Sequence, residues 1–148
     1  MGGSLRAVFK KKGGDIAHQK RLNINYNFLK EEKINAFRTR TFNFKENLSK
    51  EFFSINSTGK SKIFCLGAAT KGNTLLNYLN LNSQIIEGIG DTMPLKHNKY
   101  TPGSRIRIFD ENYVLKNATH IYILPWNLID LISSKIKKYN IEIINISP

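Results

Sequence analysis

The chain has 148 residues, enough for one domain with a sizeable core, and its 41% hydrophobic and 23% charged content is that of an ordinary globular protein. Its formal net charge is +12, with 14 Lys/Arg against 5 Asp/Glu in residues 1–62 and 9 against 6 in residues 63–148. That excess favours an anionic partner: nucleic acid, a phosphorylated metabolite or an acidic neighbouring domain.

A single cysteine, Cys65, excludes an internal disulfide and a cysteine-built zinc cluster. No apolar run approaches the roughly 18 residues that span a bilayer. Lys10-Lys11-Lys12 interrupts any signal-peptide core, so the expected location is cytoplasmic. RNA readers stack bases on a platform of exposed aromatics, and none is evident, which argues against nucleic acid as the partner.

In chain order, residues 2–9 read as a short strand without a hairpin partner, and residues 10–25 as a polar loop. Residues 33–54 have helical periodicity. Phe37, Thr41, Phe44, Leu48 and Ile55 fall near one stripe with Phe52 beside it, and Asn56-Ser57-Thr58-Gly59 supplies a stop. A strand is predicted over 63–66, a helix over 73–79 and a second strand over 84–88. A long loop covers 90–105, with a short strand or turn at 106–108. The third strand is predicted over 121–124, a helix over 128–139 and a closing strand over 141–146. Apolar strands separated by helices imply a parallel sheet with right-handed crossovers. The predicted fold is α/β: a small Rossmann-like parallel sheet with flanking helices, preceded by a strand fragment and a long amphipathic helix. The expected organisation is a strand at 1–9, a basic connecting segment at 10–60 and the Rossmann-like domain at 61–148.

The most chemically suggestive segment is Gly67-Ala68-Ala69-Thr70-Lys71-Gly72-Asn73-Thr74, at a predicted strand-to-helix turn. Small residues there let backbone N–H groups approach an anion. A P-loop needs Lys and Ser/Thr after its last glycine, whereas Lys71 precedes Gly72 and Asn73 follows it. Nor is there a Gly-x-Gly-x-x-Gly signature, so ATP hydrolysis and NAD chemistry are set aside. Packing alone can also demand glycine in such a turn. Lys71 favours the anion reading, because a cation at a helix start opposes the macrodipole unless an anion compensates.

Asp91 stands where Rossmann-type domains keep a ribose-binding acid, or it is a turn former. Lys96 and Tyr100 lie in the long loop beside it, and loops of that length in compact domains are commonly functional. Trp126 and Asn127 end the third strand at the carboxyl edge of the sheet, where Trp126 lines a pocket or caps the core. His18, His97 and His120 are scattered without ligand spacing, so no metal site is expected. No catalytic Ser/His/Asp or Cys/His constellation is present.

Taken together, these segments resemble the C-terminal domain of the sugar C-methyltransferases. Gly2-Gly3-Ser4-Leu5-Arg6 is similar to the segment closing that family's central domain, and Gly67–Tyr78 to its Gly-Ala-x-x-Lys-Gly-Asn-Thr turn. Residues 91–103 resemble its Asp-x-Asn-Pro-x-Lys-x-Gly-x-Tyr-x-Pro-Gly loop, and Leu124-Pro125-Trp126-Asn127 its Leu-Pro-Trp-Asn strand end. Met93 replaces an asparagine, Asn98 a glycine, and Ser104-Arg105-Ile106-Arg107-Ile108 stands where Thr-His-Ile-Pro-Ile is usual.

The resemblance implies a three-part enzyme using S-adenosylmethionine on a nucleotide-linked sugar. A zinc module and a central domain would hold the methyl donor and the acid/base residues. On that reading the chain is a fragment, a split gene product or a remnant, inactive alone, whose partners are the nucleotide-sugar and a separate methyltransferase domain or subunit. The implied substrate-binding residues are Gly67, Lys71, Gly72, Asn73, Asp91, Lys96, Tyr100, Trp126 and Asn127. Lys71 would contact a diphosphate, the N–H groups of Gly72 and Asn73 would donate to it, and Tyr100 and Trp126 would wall the cleft. The alternative is a stand-alone nucleotide- or anion-binding or regulatory module without catalysis.

Overall fold

Residue 30 opens an uninterrupted helix, α1 (Glu31–Ser57), whose first turn carries Glu31 and Glu32 where acidic side chains oppose the positive end of the macrodipole. The computed structural model describes residues 30–57 and 59–144. The strand expected at 2–9, the loop at 10–25 and the last residues of the closing strand lie outside these. The chain divides into two compact units, 1–40 and 41–148. In the first, Glu31–Arg40 is helical and exposed throughout. The remainder of the description concerns the second.

From Thr41 onward α1 buries Leu48 and Phe52, one turn apart, with Phe44 and Ile55 packed beside them. Phe52 meets Tyr122 edge-on at 5.6 Å. Phe37, expected on the same stripe, is exposed instead.

Among the described residues, five strands form one parallel sheet: β1 (Ile63–Leu66), β2 (Gly88–Asp91), β3 (Ile108–Asp110), β4 (His120–Ile123) and β5 (Glu142–Ile144), in the order β3-β2-β1-β4-β5. Helices α2 (Thr70–Tyr78), α3 (Glu111–Asn117) and α4 (Ile129–Ile136) connect them. The predicted α/β architecture is therefore the observed one. Side chains alternate across the sheet. Ile63 and Cys65 of β1 join the core under α1 and α2, while Phe64 and Leu66 join the core under α3 and α4.

Three local expectations change. The second strand is Gly88–Asp91, not 84–88; residues 83–85 form a turn, and Ile86 is buried there without pairing. The strand at 106–108 begins at Ile108, and α3 follows it directly, capped by the Asp110 carboxylate accepting from the Asn112 N–H at 2.8 Å. The helix expected over 128–139 begins as a 3-10 turn at Trp126–Leu128 and becomes α4.

Candidate functional site

The strand order reverses at β1 and β4, and the crevice outside their carboxyl ends is where open α/β sheets bind ligands. Gly67 leaves β1 with φ +86°, a left-handed conformation that favours glycine, and its N–H donates to the Gly90 carbonyl at 2.8 Å. A Cβ there would sit 2.7 Å from Pro125 Cδ. The turn after β1 and the segment after β4 are therefore in direct contact.

Helix α2 starts immediately afterwards. Its N-cap, Ala69, has extended backbone and offers no side-chain hydrogen bond. The Asn73 N–H donates to the Ala69 carbonyl at 3.0 Å and so serves the helix. The Gly72 N–H, with those of Thr70 and Lys71, belongs to the first turn and has no carbonyl four residues back to receive it. Lys71 is exposed, with Nζ 5.8 Å from the centre of the Trp126 ring. Thr70, Lys71, Gly72, Pro125, Trp126 and Asn127 line a shallow cleft of about 300 Å³.

Asp91 ends β2 and is buried. Its Oδ2 accepts from the Ala68 N–H at 2.8 Å and from Lys96 Nζ at 2.9 Å, and its Oδ1 accepts from the Met93 N–H at 2.9 Å. Lys96 Nζ donates a second bond, 2.9 Å, to the Ala68 carbonyl. His97 Nε2 lies 2.8 Å from the Asp91 carbonyl oxygen. Burial alone would raise the Asp91 pKa; the Lys96 hydrogen bond, the Met93 and Ala68 N–H groups and the nearby ammonium charge outweigh it and hold the carboxyl below its ordinary value. Asp91 and Lys96 thus brace the turn from behind.

Tyr100 is exposed, pairs with Arg107 in an antiparallel bridge, and lines a second cleft of about 240 Å³ with Asn73, Thr101 and Pro102. Ala69 and Thr70 border this cleft as well as the first. The long loop is held by a bond of its own and by one from α2: Thr101 Oγ1 and Ser104 Oγ lie 2.7 Å apart, and Asn77 Nδ2 donates to the Pro102 carbonyl at 3.0 Å.

The sequence-predicted residues therefore cluster around one turn but in three settings. Gly67, Lys71, Gly72, Trp126 and Asn127 surround the contact between the β1 and β4 ends, Asn73 and Tyr100 lie on the far side of the α2 start, and Asp91 with Lys96 lies beneath. A third cleft, of about 510 Å³, is lined by Gly67 and Asp91 and also by Glu111 and Lys135, which the sequence reading missed and which form an ion pair beside Leu128 and Leu131. Its signal was the Asp110-Glu111 helix start ahead of Val114-Leu115, which marks α3.

S-adenosylmethionine is poorly matched by these residues. Lys71 and Lys96 bring positive charge to the site of a cationic sulfonium, and Asp91, the acid expected to take a ribose, already accepts three hydrogen bonds. Among the described residues no cluster of His, Cys, Asp and Glu could hold a metal ion, and no helix is long and apolar enough to cross a membrane. A family model described as the C-methyltransferase C-terminal domain matches residues 1–143. A comparison with curated proteins finds no match.

Proposed function

Because the chain belongs to the C-methyltransferase C-terminal domain family, we propose that it is the acceptor-holding part of a methyl-transfer system acting on a nucleotide-linked sugar. The carrying observation is the meeting of Lys71 and Trp126 at the mouth of the β1–β4 crevice. An ammonium, three first-turn N–H groups and an aromatic face suit a phosphorylated ligand with a ring attached. The Tyr100 cleft, across the shared Ala69 and Thr70, offers room for a second moiety of the same ligand.

The chain's contribution is positioning. Fixing the acceptor carbon on a rigid sheet edge turns an encounter with the methyl donor into a near-unimolecular step. S-adenosylmethionine is the donor the family implies, and it would be bound by a partner domain or subunit.

Calorimetric titration of the chain with nucleotide-sugars and, separately, with S-adenosylmethionine tests this reading. Nucleotide-sugars should bind, and Lys71→Ala should weaken them by about 1–3 kcal/mol, the worth of a charge-assisted bond. S-adenosylmethionine should give no heat of binding. Equal affinity of Lys71→Ala and the parent chain would remove the phosphate role, and no nucleotide-sugar binding at all would sink the whole reading.

A further inference from the structure

We infer that the outer face of α1 is an interface for a second copy of this chain, with the two helices antiparallel about a two-fold axis level with Leu48. The face is distinct from the clefts described above, since no α1 residue lines them. With about 3.6 residues per turn, Phe42, Glu46, Ser49 and Phe53 share one stripe of the helix. It is turned away from the stripe that buries Leu48 and Phe52. Phe42 is 60% exposed and Phe53 58%. The two rings, about three turns apart, keep apolar surface in water that a facing helix would cover. The stripe advances by four, three and four residues, the spacing of a helix-pairing seam.

This part of α1 lies within the 41–148 unit and is pinned to it. The Tyr78 hydroxyl of α2 donates to the Thr41 carbonyl at 3.3 Å, and Lys45 Nζ lies 5.1 Å from the centre of the Tyr78 ring. With Leu48 and Phe52 buried beneath, these contacts present the stripe on a fixed helix, which lowers the ordering cost of association.

Charge identifies the occupant. The chain as a whole carries +12, yet residues 42–53 hold Lys45 and Lys50 against Glu46 and Glu51 and are neutral. A strongly acidic or basic partner finds no opposite excess there. A second copy finds its complement. In an antiparallel pair centred on Leu48, Glu46 of each copy stands opposite Lys50 of the other, and Phe42 of each stands beside Phe53 of the other. Two-fold symmetry makes every one of these contacts occur twice. A parallel pair would instead set Glu46 against Glu46 and Lys50 against Lys50, which like charges disfavour.

Sedimentation equilibrium of the whole chain over a range of concentrations tests this, with thermal melting of each variant to report folding. The parent chain should pass from monomer to dimer as its concentration rises. Phe42→Ser and Phe53→Ser should each weaken the dimer about tenfold or more. Glu46→Lys and Lys50→Glu should each weaken self-association about fivefold or more, because each turns two attractions into two repulsions. An equimolar mixture of those two charge variants should dimerise as the parent does, since each then meets its opposite. A parent chain that stays monomeric throughout, its α1 face left to some other protein, would overturn the assignment. So would a dimer that the folded phenylalanine and charge variants leave unchanged, or a mixture that associates no better than its components.

Discussion

The Asp91 carboxylate accepts the Ala68 N–H at 2.8 Å, which ties the end of β2 to the turn that follows β1. The same oxygen holds Lys96, whose ammonium reaches the Ala68 carbonyl. Both polar groups of the Ala68 residue are therefore gripped, one from the end of β2 and one from the turn beyond it, and the turn is held in shape before any ligand arrives. Asp91→Asn keeps the shape of the side chain but leaves the Lys96 ammonium without its counter-charge. A loss of about 1–3 kcal/mol is expected, read as a lower urea midpoint with unchanged m-value.

The acid limb of stability follows from the same carboxylate. Its folded pKa lies below the ordinary 3.8, so its contribution is complete above that value and disappears as pH falls through the folded pKa. Urea midpoints taken from about pH 5 down to about pH 2 should converge for the parent chain and Asp91→Asn at the acid end. Curves that stay parallel would show that Asp91 is not the titrating group.

Gly67→Ala should destabilise the chain by about 1–3 kcal/mol, because it adds left-handed strain to a collision with the Pro125 ring. Pro125→Ala made in addition should recover only the collision. A double variant as stable as the parent would mean that the backbone conformation costs nothing.

Gly72→Ala sets two effects against each other. Alanine gains at most about 1 kcal/mol over glycine in a helix, and Gly72 stands in the first turn of α2, but the new Cβ would lie 2.7 Å from Leu124 Cβ, a rigid part of a buried residue. Overpacking of this kind costs typically about 1–3 kcal/mol, so the net change should be destabilising. A raised Tm would show that α2 can slide away from β4.

Phe52 is fully buried and meets Tyr122 edge-on. Phe52→Ala should cost about 3–5 kcal/mol, with Tyr122 fluorescence shifting toward that of a solvent-exposed phenol. An unchanged denaturation midpoint would mean that the α1 segment after Thr41 does not contribute to the cooperative core.

Legibility in the sequence varied with how each element is specified. Ile63–Leu66 was readable because a continuous apolar run buried on both faces is a strong signal for a central parallel strand. The second strand was misplaced because Gly88-Ile89-Gly90-Asp91 has little strand propensity of its own. Its glycines answer to tertiary neighbours: a Cβ at Gly88 would lie 2.4 Å from the Phe109 ring, a constraint invisible in a local window. Helix α3 has seven residues and follows β3 without a loop, so no periodicity announced it. At the site, residue types around the Lys71 turn were legible because spacing limits what they can do. The partners of Asp91 and Lys96 were not, since those bonds reach from β2 back to Ala68.

The placement of β1 at the middle of the sheet also governs how the chain assembles. The Ala68–Asp91 bond closes a 23-residue interval, whereas the Lys62–Thr119 bond beside the β1–β4 pairing closes 57. Loop-closure entropy separates the two by only about 0.8 kcal/mol, but synthesis separates them in time. At ordinary elongation rates the 57 residues of that interval take roughly 3–11 s to appear. During that wait the apolar Ile63-Phe64-Cys65-Leu66 strand has an open edge, and a nascent chain stalled there would be prone to pair with its neighbours on the polysome.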